Sequence, residues 1–127
     1  MITSVSEVER IISVCEEVKT ELKKEEINFS ENITHGIMIE TPAAAIVSDR
    51  LAPMVDFFSI GTNDLSQFLF ATDRMEQNVG REDFKSLAIR RVMEYIVKTG
   101  EREGIPIGLC GDIASDKETL KWILNAG

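Results

Sequence analysis

Phe57-Phe58-Ser59-Ile60-Gly61-Thr62-Asn63-Asp64-Leu65 is an apolar run that ends in a turn and an Asn-Asp pair. Two further runs share that design. Gly36-Ile37-Met38-Ile39-Glu40 ends in a carboxylate, and Gly108-Leu109-Cys110-Gly111 ends in a thiol. Short apolar runs bounded by turn residues and separated by helical patterns read as buried parallel strands. Reactive side chains gather at the carboxyl ends of such strands. The three runs therefore predict one site built from three strand ends.

Outward from these runs, helix and strand alternate. Ser6 and Glu9 form a capping-box signature, after which Val8, Ile11, Cys15, Val18 and Leu22 recur at helical spacing before the solvated run Lys23-Lys24-Glu25-Glu26. Thr41-Pro42 places a capping hydroxyl before a proline at the first helical position, opening a helix from Ala43 to about Arg50. Val55 to Ile60 is the next strand, Gly61-Thr62-Asn63 its turn, and Leu65 to Ala71 the helix that follows. A long helix is predicted from about Asp83 to Glu103, with Phe84, Leu87, Ile89, Val92, Met93, Ile96 and Val97 on its apolar face and Gly104 as its C-terminal cap. Pro106 to Cys110 is another strand. Ser115 and Glu118 form a second capping box, opening a last helix that ends at Asn125-Ala126-Gly127.

Repeated βα units with short βα turns favour a parallel sheet, either doubly wound or closed into a (β/α) barrel. A complete barrel takes about 250 residues and eight strands, and this chain supplies about four βα units. Met1-Ile2 reads as the tail of a strand, and no strand follows the last helix. The expectation is an α/β chain that forms, over residues 1–127, a fragment of a larger barrel domain.

Bulk properties narrow the function. The chain has 127 residues and a net charge of -8, with a pI near 4.7, so a nucleic-acid backbone would meet a repulsive surface. The start of the chain does not resemble a signal peptide, and no apolar run approaches the roughly 18 to 20 residues of a membrane span. A cytoplasmic protein with no membrane partner is expected. Cys15 and Cys110 are the only cysteines, and their separation argues against a disulfide framework or zinc knuckle.

The candidate chemistry lies at the strand ends. Glu40 and Asp64 offer oxygen ligands of the kind that magnesium takes, and a two-carboxylate magnesium site implies an anionic substrate. Each also has a plainer reading, Glu40 as a cap and Asp64 as a first-turn charge favoured by the helix dipole. Arg74 follows a helix end and is either a surface ion pair or a phosphate clamp. Cys110 is either a packed thiol or an acid or nucleophile at the strand mouth. Cys15 belongs to the apolar face of the first helix and is expected in the core. His35 has no partner of ligand spacing and reads as structural or exposed. Trp122 is expected to pack against a neighbouring element.

Four segments then fit together. They are Gly36-Ile37-Met38-Ile39-Glu40-Thr41-Pro42-Ala43-Ala44-Ala45, Val55 to Gln67 around Gly61-Thr62-Asn63-Asp64, Asp73-Arg74-Met75, and Gly108-Leu109-Cys110-Gly111-Asp112. In order and spacing, over nearly the whole chain, they resemble the phosphoenolpyruvate-binding barrel of the enzyme I family of the bacterial sugar phosphotransferase system. The dikinases and synthases that use phosphoenolpyruvate have the same kind of barrel, but the runs after Glu40 and from Val55 look closer to enzyme I.

That resemblance implies roles. Glu40 and Asp64 would hold magnesium, Asn63 and Arg74 would contact the substrate phosphate, and Cys110 would protonate the enolate carbon to release pyruvate. The phosphoryl acceptor would be a histidine of a separate N-terminal domain, serving a small phosphocarrier protein; His35 does not match it. The isolated chain is expected to be inactive and to self-associate or form a homodimer through open sheet edges. Two alternatives are a dikinase or synthase relative, and a truncated, non-catalytic interaction or regulatory module.

Overall fold

The computed structural model describes residues 1–72, 86–111, 117, 121 and 122. The first helix, α1, spans Val5–Lys24. Its capping box is formed by Ser4 and Glu7, not by Ser6 and Glu9. Ser4 Oγ accepts from Glu7 N, while Glu7 Oε2 accepts from Thr3 N at 2.6 Å and Ser4 N at 2.9 Å. The same Ser-x-x-Glu spacing occurs twice, two residues apart, and the earlier box lets Val5 join the first turn. Only Val8 of α1 is buried. Ile11 and Val18 are 49% and 46% exposed, and Cys15 is half-buried, so the expectation that Cys15 lies in the core is corrected.

Met1-Ile2 carries no strand; Ile2 O instead accepts from Thr41 Oγ1 at 2.7 Å, beside the exit of β1 (Gly36–Ile39). Thr41 also caps the next helix by accepting from Ala44 N at 3.1 Å, with Pro42 at the first helical position. That helix is broken at Val47 (φ -100°, ψ 16°) into α2, Pro42–Ile46, and α3, Ser48–Leu51. A 3-10 turn, Ala52–Met54, follows and accommodates Pro53.

Strand β2 spans Phe57–Gly61, two residues later than Val55. Before it, Asp56 and His35 clasp each other: Asp56 N donates to His35 O at 2.7 Å, and His35 N donates to Asp56 Oδ2 at 2.6 Å. The backbone of His35 is thus held at the amino edge of the sheet. Helix α4, Thr62–Phe70, starts directly after β2, so Thr62 and Asn63 are helical rather than a turn. Helix α5, Leu87–Glu103, is capped by Ser86 and closed by Gly104 in the left-handed conformation, φ 72°. Its expected start at Asp83-Phe84 lies outside the described residues, as do Arg74 and the Ser115–Glu118 box. Strand β3 spans Ile107–Cys110.

Among the described residues the strands form one parallel sheet in the order β1-β2-β3. Ile39 pairs with Ile60, and Gly61 pairs with Cys110. Side chains alternate between the two faces. Ile39, Phe58 and Ile60 are buried on one face, against a core that includes Ala44, Ala45, Leu51, Leu65, Ile89, Met93 and Ile96. Burying each of these larger side chains contributes about 1.5–3 kcal/mol. Gly100 permits the close approach of α5 to this face, since a Cβ there would collide with Ile107. Trp122 packs against the same core, with the Arg90 guanidinium 5.3 Å from its ring centre.

The other face carries Gly36, Met38, Phe57, Ser59, Gly61, Gly108 and Cys110. No described helix covers it: Met38 is 41% and Phe57 39% exposed. The Phe57 ring lies over Gly36, where any Cβ would collide with it.

Candidate functional site

The carboxyl edge of the sheet is where the sequence placed its reactive residues. Glu40 follows β1 directly; continuing the Ile39–Ile60 pairing by one residue sets it beside Gly61, which in turn pairs with Cys110. One row across three strands therefore carries a carboxylate, a glycine and a thiol. The glycine is required for the row to close up, because a Cβ on Gly61 would lie 2.9 Å from Glu40 Cβ and 3.0 Å from Met38 Sδ.

Above Gly61, the first turn of α4 holds Thr62, Asn63 and Asp64. Asp64 lies where the helix dipole favours negative charge. Thr62 is fully buried, and its Oγ1 donates to Cys110 O at 2.9 Å, tying the start of α4 to the end of β3. Gly111 has φ 106°, in the left-handed region that favours glycine. A Cβ on it would collide with Thr62 Oγ1 and lie 2.9 Å from Asn63 Oδ1. Asn63 thus reaches the backbone just past Cys110. The thiol itself is half-buried: Sγ accepts from Ser59 Oγ at 3.4 Å and donates to Ile60 O at 3.3 Å.

Of the expected site residues, Glu40, Asn63, Asp64 and Cys110 all lie on this edge; Arg74 lies outside the described residues. Ser59, Thr62 and Gly111 were not singled out from sequence. Ser59 could have been found by strand alternation, since it shares a face with Gly61 and hence with Cys110. Among the described residues no three His, Cys, Asp or Glu side chains gather as a metal cluster. Two carboxylates on adjoining βα turns still fit magnesium, which takes one or two protein carboxylates and fills its other positions with water and substrate phosphate. No helix among the described residues is long and apolar enough to cross a membrane.

The parallel α/β sheet is consistent with the family found by comparison. Residues 1–127 match the family model described as PEP-utilising enzyme, PEP-binding domain, and the chain belongs to that family. Among curated proteins it is 37% identical over 129 residues to a phosphoenolpyruvate-protein phosphotransferase of Priestia megaterium, covering 100% of this chain and 22% of that protein. It is 38% identical over 126 residues to the protein of the same name from Mycoplasma capricolum, covering 98% of this chain and 22% of that protein. It is 39% identical over 132 residues to multiphosphoryl transfer protein 2 of Escherichia coli, covering 100% of this chain and 16% of that protein. The chain thus spans about a fifth of the length of these relatives.

Proposed function

We propose that this chain is part of a (β/α) barrel in a longer protein that transfers a phosphoryl group from phosphoenolpyruvate to a protein histidine, the entry step of a sugar phosphotransferase system. The observation that carries the reading is the row at the carboxyl edge, where Glu40, Gly61 and Cys110 adjoin beneath the Asn63-Asp64 turn. Two features of the sheet support a barrel. Its second face leaves Met38 and Phe57 exposed, as an interior face awaiting further strands would. Ile2, anchored to Thr41, also lies where a strand preceding β1 would end.

Glu40 and Asp64 would hold a magnesium ion, which when bound supplies orientation and neutralises phosphate charge. Asn63 and Arg74 would contact the phosphate, the arginine through its bidentate fork. Transfer breaks the bond between phosphorus and the enol oxygen and forms one to the accepting histidine nitrogen. That histidine belongs to a domain outside this chain, which would serve a small phosphocarrier protein; His35 is held at the opposite edge of the sheet by Asp56. Cys110 then gives its proton to the methylene carbon of the enolate, completing pyruvate.

The test is Cys110→Ala in the longer polypeptide. Pyruvate formation should fall at least about 100-fold, the scale of a lost general acid, while binding of magnesium and phosphoenolpyruvate persists. Unchanged turnover removes the role. The 127-residue chain alone should form no pyruvate above background.

A further inference from the structure

Among the described residues the Cys110 sulfur has two hydrogen-bond partners, one accepting from it and one donating to it. Ile60 O accepts from Sγ at 3.3 Å, a contact that only the thiol can make. Ser59 Oγ donates to Sγ at 3.4 Å, a contact that strengthens when sulfur carries charge. Ser59 pairs with Gly108, and Gly61 pairs with Cys110, so these four residues share the uncovered face with only the serine and cysteine bearing side chains. Nothing of the two glycines stands between hydroxyl and sulfur.

We infer that Ser59 is a positioning residue for Cys110, fixing its sulfur on the uncovered face and stabilising the thiolate formed when the cysteine gives up its proton. This rests on the reading of Cys110 as the acid. In that step the S–H bond breaks, its electron pair stays on sulfur, and the proton forms a C–H bond at the enolate carbon. Ser59 keeps its own proton and tightens its hydrogen bond as the charge develops. Water then returns a proton to sulfur.

The experiment measures iodoacetamide alkylation of Cys110 near pH 8 in the 127-residue chain, with Cys15→Ser leaving a single thiol and thermal melting confirming the fold. Ser59→Ala should slow alkylation about three- to tenfold, because the thiolate loses a charge-assisted hydrogen bond while its higher intrinsic nucleophilicity recovers part of the rate. Ser59→Gly, a second hydroxyl-free chain, should do the same. Ser59→Thr, which keeps the hydroxyl and suits a strand, should stay within about twofold of the serine chain. Alkylation of folded Ser59→Ala or Ser59→Gly at the serine rate or faster overturns the inference, and so does a Ser59→Thr chain as slow as Ser59→Ala, which would trace the effect to packing. No phosphoenolpyruvate is involved, so failure here is distinct from failure of the acid role, which the pyruvate assay decides.

Discussion

Gly111→Ala probes the joint between β3 and α4 on which the candidate site depends. At φ 106° an alanine is strained whatever the space around it, costing about 1–3 kcal/mol. Its Cβ would also collide with Thr62 Oγ1 and crowd Asn63 Oδ1 at 2.9 Å, an overpacking term of roughly 1–3 kcal/mol. Part of the collision can be relieved only by disturbing the Thr62 hydrogen bond to Cys110 O, itself worth about 1 kcal/mol. A net loss of about 3 kcal/mol is expected; with a urea slope of about 2 kcal/mol/M, the unfolding midpoint should fall by roughly 1.5 M. Thr62→Ala separates the two contributions. By itself it should destabilise by about 1–2 kcal/mol through the lost bond, but in the Gly111→Ala background it should cost much less, because it also removes the collision. A midpoint for Gly111→Ala within about 0.25 M of the parent would refute the reasoning, since neither the backbone strain nor the contact with α4 could then exist.

Thr41→Val removes both the cap on Ala44 and the donor to Ile2 O, so thermal denaturation should show a loss of about 1–2 kcal/mol; a loss of less than about 0.3 kcal/mol would show that the short α2 does not need its cap. Glu7 is held below its ordinary value of 4.5, chiefly by the backbone hydrogen bond from Thr3, with Ser4 adding to it. A lowered folded-state value means that the contribution is present above the unfolded value and is lost as the pH falls below about 4.5 through the folded value. Amide signals of Thr3 and Ser4 should therefore shift together on acidification below that pH, and in Glu7→Gln they should not respond.

Much of this arrangement is legible in the sequence, because buried parallel strands declare themselves as apolar runs between turn residues. The expected strands Gly36 to Glu40, Val55 to Ile60 and Pro106 to Cys110 lie within one or two residues of β1, β2 and β3. The structure departs from the sequence expectation where two local solutions compete. Ser4–Glu7 and Ser6–Glu9 are equivalent as motifs, and the choice rests on Thr3 joining the Glu7 carboxylate. A continuous helix is expected after Pro42, because the break at Val47 has no glycine or proline to announce it. Asn63 is expected in a turn, yet the helix starts at Thr62 with no side-chain cap. Long-range contacts left the weakest trace: the His35–Asp56 clasp spans 21 residues and the Thr62–Cys110 bond 48. The candidate carboxylates and thiol were found because chemistry marks them by type. Strand alternation sets Ser59 on the face of Gly61, but its contact with Cys110 depends on the register of β2 against β3, which residue type does not reveal.

Glu40 and Asp64 are proposed to form one divalent-cation site at the carboxyl edge of the sheet. Its most direct test is a titration of the isotopically labelled chain with manganese, a paramagnetic stand-in for magnesium. Amide signals of Glu40, Asn63, Asp64 and Gly111 should broaden together and first, and Glu40→Gln or Asp64→Asn should abolish that common response. Broadening confined to the acidic surface of α1, around Glu16, Glu17 and Glu21, or broadening at the strand ends that survives both substitutions, would contradict the account.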